Sequence, residues 1–434
     1  MAQVDGVTTR TIACSAMTRS PVADTLADPE VQQCPYHLYA RLHRESPVHF
    51  DKAMNLYLIT RYEDVVAASL DTATFSSHID MRRDVSVADV SPSDALYRSE
   101  GWVVEDVLSQ ADPPRHTMFR KIVERLFTGP AVKRLHQYLD AHVNALIDGF
   151  ASRGHADFLA EFAVLLPIDV IADQLGLPRT VGPQIKRWTD AYIESFDPTI
   201  SAERKLECAR RIIEFQKYFI ERRAEKIAAP KADLLSMLAV AEKADGQLLT
   251  DEEYLALCAQ LMVAGNETTR NQLMASLLML IDDPALQQRL RSHPQLIPKF
   301  IDESLRLESP AQGLYRRCTR EVTISGTTIP SGAIVLLMFA AGNRDEGFFA
   351  EPDQLDLERG NANRHLAFGH GVHGCIGRNL AIAELTIAIT RLLERLDDIR
   401  LREGSARPRY KPHFNMRALE SLQIEFAPRG ATES

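Results

Sequence analysis

Nowhere in the 434 residues does an uninterrupted apolar run reach the roughly 20 positions that a membrane-crossing helix needs. The longest contender, Leu255 to Ile281, is broken by Asn266, Glu267, Arg270, Asn271 and Gln272. Met1 to Glu30 is polar and lacks the apolar core of a secretory leader or an anchor. A soluble, cytoplasmic protein with no membrane attachment is therefore expected, with residues 1–30 as a flexible tail. An excess of positive charge is also lacking: the net charge is -9 and the sequence pI about 5.8, which argues against nucleic acid or anionic membrane as the main partner. The six cysteines, Cys14, Cys34, Cys208, Cys258, Cys318 and Cys375, form no C-x-x-C pair and no dense framework. That spacing fits reduced thiols rather than a disulfide scaffold. No Gly/Ser linker, Pro-rich run, long charge block or fixed-period repeat interrupts the chain, so residues 31–434 are expected to form a single domain. A chain of this size can bury most of its apolar surface and still enclose a sizeable cofactor.

Helical periodicity dominates what is present. Val132 to Phe150 places Leu135, Leu139, Val143 and Leu146 at spacings of three and four. Arg204 to Ala228, Asp251 to Asp283, Gln295 to Leu307 and Arg378 to Leu396 read the same way. Thr250 with Glu253 makes a capping box that opens the long helix, and Pro284 follows its end. That helix would run roughly 45 Å, enough to cross a domain. Strand-like segments are short: Asn55 to Thr60, a hairpin of Glu321 to Ile324 and Thr327 to Ile329 around Ser325-Gly326, Ala333 to Met338, and Leu422 to Phe426. The fold class is mainly α with small β-sheets.

One cysteine sits in an unusual setting. Phe368-Gly369-His370-Gly371-Val372-His373-Gly374-Cys375-Ile376-Gly377 holds four glycines directly before a helical pattern that begins near Cys375. Glycine permits left-handed backbone and a close approach to a flat ligand. A loop wound around one Cys can aim backbone N–H groups at its sulfur, and the helix's positive end adds to this. Three readings fit: a buried structural thiol; a zinc site using His370, His373 and Cys375, with no obvious fourth ligand; or an axial haem thiolate.

The long helix carries a polar break at Ala264-Gly265-Asn266-Glu267-Thr268-Thr269. A glycine there costs about 1 kcal/mol relative to alanine, and a buried acid costs more unless it serves a purpose. Small residues beside an acid and a hydroxyl suit a ligand lying against this turn; a solvent-facing stripe or a kink is the plainer reading. A hydroxyl bonding back to the preceding turn can also loosen the helix. Glu303 and Arg306 lie three apart on one helix face, a pairing common on surfaces. His116 and Arg120, four apart in Asp112-Pro113-Pro114-Arg115-His116-Thr117-Met118-Phe119-Arg120, also share a face.

Together these motifs resemble the cytochrome P-450 family over nearly the whole chain beyond the tail. Phe368 to Gly377 matches the family's Phe-Gly-x-Gly-x-His-x-Cys-x-Gly at every fixed position, and Ala264 to Thr269 its Ala-Gly-x-Glu/Asp-Thr-Thr stretch. The resemblance implies a single-domain cytochrome P-450 fold with haem b (iron protoporphyrin IX) between the long central helix and the cysteine loop. It implies Cys375 as the metal ligand, with Phe368, Gly369, Ala264 and Gly265 against the cofactor. Thr268 then hydrogen-bonds dioxygen and Glu267 relays protons. Glu303, Arg306 and a third partner, Arg359, become structural. His116, Arg120, His373 and Arg316 take the propionates, with Arg317 the competing choice for the last.

The implied activity is a monooxygenase that hydroxylates or oxidatively dealkylates a small or medium hydrophobic substrate: an aromatic acid, terpenoid, steroid or fatty acid. The chain stops soon after its terminal strand, so electrons are expected from a separate ferredoxin and ferredoxin reductase, ultimately from NAD(P)H. Arg115, Lys121, Arg364 and Arg378 are the candidate docking patch. By the same resemblance the substrate pocket draws on the span from His78 to Val107, the surroundings of Phe196, Val263, Ala264, Thr268, Ala311 to Leu314 including Gly313, Phe414 and Asn415. Arg82 or Arg83 could meet a carboxylate. A monomer is expected. The alternatives are a peroxygenase, an isomerase or a nitric oxide reductase on the same fold, or a non-catalytic haem or zinc protein.

Overall fold

A computed structural model describes residues 25–79, 91–103, 105–195 and 200–428. Residues 1–24 of the expected tail, together with Arg82, Arg83 and Phe196, lie outside the described residues. The end of that tail is tied down. The Leu26 amide donates to Asp51 Oδ2 at 2.9 Å, and Asp28 caps the short helix Pro29–Gln33.

The chain is mainly helical and divides into two compact units. One comprises Met1–Phe75, His136–Ala163 and Thr269–Ser434 in its described part; the other comprises Ser76–Leu135 and Val164–Thr268. The central helix Asp251–Asp282 contributes its first part to the second unit and its remainder to the first. Among the described residues no helix is long and apolar enough to cross a membrane.

In the first unit a sheet carries the strands in the order Val48–Asp51, Leu56–Ile59, Ile334–Leu337, Leu314–Cys318, Phe75–Ser76. Leu56, Leu58 and Leu336 enter one apolar cluster, with Leu38 and Leu42 from the helix Tyr36–Glu45. Ile59, Val335 and Leu337 enter another, with Tyr62 and Val65 from the helix Tyr62–Leu70. Successive side chains leave opposite faces of a strand, so the sheet is apolar on both and reads as continuous hydrophobic runs. A second sheet orders His155–Asp157, Gln423–Pro428, Leu396–Leu401. The hairpin Val322–Ile324 with Thr327–Ile329 turns through Ser325 at φ 45° and Gly326 at φ 80°, the left-handed pair that a two-residue hairpin loop demands.

Local chemistry sets the helix boundaries. The helix Ala202–Ala228 starts where Ser201 accepts the Arg204 N–H at 3.2 Å. Ile297–Leu307 begins later than its periodicity suggests because Pro298 fits only a first turn; Pro294–Leu296 forms a 3-10 turn instead. The single helix expected over Val132 to Phe150 is two, Gly129–Lys133 and His136–Ala151, separated by a tight turn in which Leu135 N–H donates to Val132 O. The cysteine helix is Arg378–Arg395, and Leu396 already belongs to a strand. Cys34 is disulfide-bonded, which corrects the expectation of reduced thiols throughout; Cys208, Cys258, Cys318 and Cys375 are in no disulfide.

Glu303 and Arg306 are both fully buried, at 0 % exposure. Arg306 Nε and Nη2 donate to the Glu303 carboxylate at 2.6 and 3.0 Å, and Arg359 Nε lies 3.1 Å from Glu303 Oε1. Leaving one buried charge without its partner costs about 3–5 kcal/mol. Arg306→Met should therefore lower stability to urea by that order or leave no folded protein. Arg289→Met, which removes an exposed pair with Glu358, should cost less than about 1 kcal/mol. Equal urea midpoints for the two variants would contradict this assignment.

Candidate active site

The first unit contributes the cysteine loop. Asn343 Oδ1 accepts the Leu366 amide at 2.5 Å, Gly369 N–H turns back to Leu366 O at 2.8 Å, and Cys375 N–H donates to Phe368 O at 2.7 Å. Phe368 and Gly369 thus form the stem of a closed loop, with a 3-10 turn at Gly371–His373. Gly369 has φ 68° and Gly371 φ 70°. A Cβ on Gly371 would also stand 2.7 Å from the Ser69 carbonyl oxygen, so glycine is required there twice over. The loop leaves Cys375 exposed and outside any disulfide. The following helix starts at Arg378 with Gly377 as its N-cap, so its positive end trails the sulfur by three residues instead of beginning at it.

Two groups beside this loop escape the sequence motifs. His365 is buried; its Nδ1 accepts the Ala367 amide at 3.2 Å, and its Nε2 lies 3.7 Å from Asp302 Oδ1. Burial holds its pKa below the ordinary histidine value, so it is neutral, and its ring packs 5.7 Å from that of Phe368. Glu384, on the cysteine helix, is 3 % exposed, and its Oε2 has no hydrogen-bond partner. Burial pushes its carboxyl up to about 8. An acid among Leu380, Ala383 and Ala388 on an apolar stripe is the signal that marks it in the sequence.

Pairing of Leu314–Cys318 with Ile334–Leu337 settles the alternation at Arg316. Arg316 is buried at 3 % exposure and shares a face with Leu314 and Cys318, while Arg317 is half-buried on the opposite face. Arg316 Nη1 donates to Tyr315 O at 2.6 Å. His373 is half-buried within the 3-10 turn. Ala311 is half-buried and bridged to Met416, and Leu314 is half-buried. Phe414 packs 6.3 Å from Tyr315. Gly313 is buried, and a side chain there would collide with the Leu337 carbonyl. Its glycine thus serves a close approach of two backbones.

The second unit holds His116, buried, and Arg120, half-buried, on one face of the helix Arg115–Val123. Asp112 fixes the entry to that helix by accepting the Ser77 amide at 2.7 Å and the Ser76 hydroxyl. The capping box of the central helix forms as expected: Thr250 Oγ1 accepts the Glu253 amide at 3.2 Å and Glu253 Oε2 the Thr250 amide at 3.0 Å. Thr268 Oγ1 donates to Ala264 O at 2.9 Å, yet the helix runs through without the expected loosening. Tyr254 to Ala259 and Thr269 to Leu280 are buried on every face, whereas Ala264 and Gly265 are exposed and Val263, Glu267 and Thr268 half-buried. A Cβ built on Gly265 meets nothing within 4 Å.

Each unit thus presents features of its own: in the first an exposed cysteine on a glycine turn and a buried Arg316, in the second His116 with Arg120 on one helix face and an exposed turn of small residues at Ala264 and Gly265. A zinc centre is not assembled, since no group of three or more His, Cys, Asp or Glu among the described residues is placed to hold a metal.

The family model described as Cytochrome P450 matches residues 185–416. Cytochrome P450 107B1 of Saccharopolyspora erythraea is 35 % identical over 94 % of this chain and 99 % of its own length. The Vitamin D(3) 25-hydroxylase of Pseudonocardia autotrophica is 31 % identical over 92 % of this chain and 95 % of its own. The solved structure of cytochrome P450 CYP109Q5 from Chondromyces apiculatus superposes with a TM-score of 0.80 at 32 % identity, covering 94 % of this chain and 99 % of that one.

Glu384 supplies a pH test. Its folded pKa, about 8, lies above the usual carboxylate value, so the folded state keeps a proton that the unfolded chain releases from pH 4.5 upward. Its contribution is full below that pH and is lost as pH rises toward 8, by about 1.4 kcal/mol per pH unit. Glu384→Gln should show a higher thermal midpoint than wild type at pH 7.5 and a gap that narrows at pH 5. A gap independent of pH would show that Glu384 is not held protonated.

Proposed function

The chain belongs to the cytochrome P450 family, and from that premise we propose a haem-thiolate monooxygenase that hydroxylates or oxidatively dealkylates a small or medium apolar molecule with electrons from a separate ferredoxin and its reductase. That it is a P450 monooxygenase follows from its relatives; substrate, electron donor and residue roles are our reading. The observation that carries it is the closed loop in which two left-handed glycines leave Cys375 exposed.

A bound haem with a thiolate ligand supplies reductive activation of dioxygen. Cys375 would ligate the iron through its thiolate. Arg316, His373, His116 and Arg120 would hold the two carboxylates. Ala264 and Gly265, small and exposed, would admit a flat ligand against their turn. Turnover consumes two protons, and Thr268 with Glu267 delivers them. With its own hydrogen on Ala264 O, Thr268 Oγ1 has lone pairs to accept a hydrogen bond, and rotation of the hydroxyl turns the same group into a donor. The Glu267 carboxyl, one residue earlier, exchanges the replacement proton.

Val263, Ala311, Leu314 and Phe414 give the substrate region an apolar character. The relative named as a Vitamin D(3) 25-hydroxylase supports a steroid- or terpenoid-like skeleton among the substrate classes considered. Electrons, ultimately from NAD(P)H, enter near the cysteine loop. There Arg364 stacks 4.6 Å over Phe348 and Arg378 5.6 Å over Phe368, each exposed. Val372 and Leu70, the latter 60 % exposed and lying against Gly371, add exposed apolar surface at the same loop. Arg115 is less available, since it pairs with Glu105 at 3.3 Å and Glu253 at 3.4 Å.

The reduced carbon monoxide complex should give a thiolate-type Soret band that Cys375→Ser abolishes. Its absence in the wild type would end this reading. Thr268→Ala should consume electrons at a comparable rate while hydrogen peroxide replaces product, lowering coupling by about 10²-fold, the lower range for a positioned proton donor. Full coupling in that variant would remove Thr268 from proton delivery. Arg364→Glu with Arg378→Glu should slow reduction by the donor and flatten its salt dependence. Unchanged reduction rates would place docking elsewhere.

A further inference from the structure

A second buried charge pair, distinct from Glu303 and Arg306, stands at the C-terminal end of the same helix. Glu308 follows the helix Ile297–Leu307 and is 4 % exposed; Arg417 is 5 % exposed. Arg417 Nε and Nη2 each donate to Glu308 Oε2 at 3.2 Å, and Tyr410 Oη donates to the same oxygen at 3.0 Å. Tyr36 Oη donates to Oε1. The remaining Arg417 nitrogen, Nη1, donates to the carbonyls of Gln32 and Gln33 at 3.1 and 3.0 Å. The Tyr410 ring lies 3.5 Å from the Arg417 guanidinium carbon, and Arg344 covers the Tyr36 ring at 3.5 Å. Four donors converge on one carboxylate.

Such a cluster is hard to justify by stability. Replacing a buried ion pair with apolar residues of similar volume is often neutral or stabilising, because desolvation offsets the attraction. What the pair does provide is one fixed geometry, and its position shows what it fixes. Arg417 N–H donates to Pro310 O and Gln312 N–H to Asn415 O, both at 2.9 Å, bridging Ala311 to Met416. Glu308 stands two residues before this ladder on one strand, and Arg417 is its last member on the other. The loop 413–416 caps a short hairpin in which Lys411 N–H donates to Ala418 O and Tyr410 bridges to Leu419; within it His413 Nδ1 accepts the Asn415 and Met416 amides at 3.1 Å, and Phe414 packs against Tyr315 and the apolar cluster that holds Leu38 and Leu336.

We propose that Glu308 and Arg417 are positioning residues for substrate selectivity. Their ion pair sets the spacing of segments 311–314 and 413–416, and so where Ala311, Leu314 and Phe414 stand, without touching substrate. The inference rests on the reading above, in which those three side chains line the substrate region.

The test compares wild type, the double variant Glu308→Met/Arg417→Met, and Arg417→Lys, which keeps the charge but loses the planar fork. Each is scored first by its reduced carbon monoxide band and by imidazole affinity. Spin-shift titrations with lauric acid, testosterone and erythromycin follow. The band and imidazole affinity should stay as in wild type. The ratio of affinities between the best and worst of the three ligands should change by about tenfold, the scale of one methylene's fit in an apolar pocket. Uniform weakening of all three, or unchanged ratios, would overturn the proposal and leave the pair a purely structural one. If the double variant does not bind haem, Arg417→Lys decides on the same criterion; should it also fail to bind, the pair is needed for folding and the proposal is overturned. A wild type without the thiolate band would instead overturn the functional reading and this inference with it.

Discussion

Arg306 is the group on which the approach to the cysteine loop depends. Its guanidinium is buried with Glu303, and its remaining donors reach out of the helix to the carbonyls of Asn343 at 3.1 Å, Pro352 at 2.6 Å and Gln354 at 2.9 Å. Glu303 Oε2 accepts the Asp356 amide at 2.9 Å, and Arg359 spans the carbonyls of Ala350, Glu351 and Gln354. A stretch with almost no regular structure thereby acquires partners for its buried carbonyls, which would otherwise each carry a desolvation cost. The chain organised this way delivers Asn343, whose side-chain oxygen receives Leu366 N–H at the entrance to the cysteine loop. The thiol's setting thus follows from a charge pair more than sixty residues earlier.

The motifs legible in the sequence share a physical property: their meaning lies in spacing along one element. Glu303 and Arg306 meet because three residues bring them to one helix face. Thr250 and Glu253 make a capping box for the same reason, and Gly369 and Gly371 ahead of Cys375 mark a left-handed backbone that L side chains rarely adopt. The central helix, the hairpin at Ser325-Gly326 and the mainly helical class were readable on that basis. Boundaries were less so, because Pro298, Ser201 and the turn before His136 decide them by capping chemistry rather than apolar period. The strands Val48–Asp51 and Leu396–Leu401 carry too little alternation to be seen alone and exist because partners cover them.

Glu308 and Arg417 show the opposite case. They lie more than a hundred residues apart, and neither sits in a pattern that sets it off from ordinary surface charge. Tyr36 and Tyr410 likewise look like common aromatics until their hydroxyls are found on one carboxylate. Glu384 is intermediate: an acid on an apolar stripe is visible, but whether the fold pairs it or leaves it protonated depends on packing alone.

This division separates what the chain does from what it acts on. Haem chemistry asks for a thiolate, cations and a bare helix turn, each a short-range property of one segment that leaves a mark in the sequence. Substrate selection, in the function proposed above, asks how far the segment 311–314 stands from the segment 413–416, which a two-bond ladder and a buried ion pair connect across the chain. Gly313 shows how indirect such control is. Its lack of a side chain, which reads as space left for a ligand, lets the strand approach the Leu337 carbonyl, so it shapes the neighbourhood by where it puts Leu314. Residues that position the lining can therefore change selectivity as much as residues in it, and they are the ones that residue spacing does not reveal.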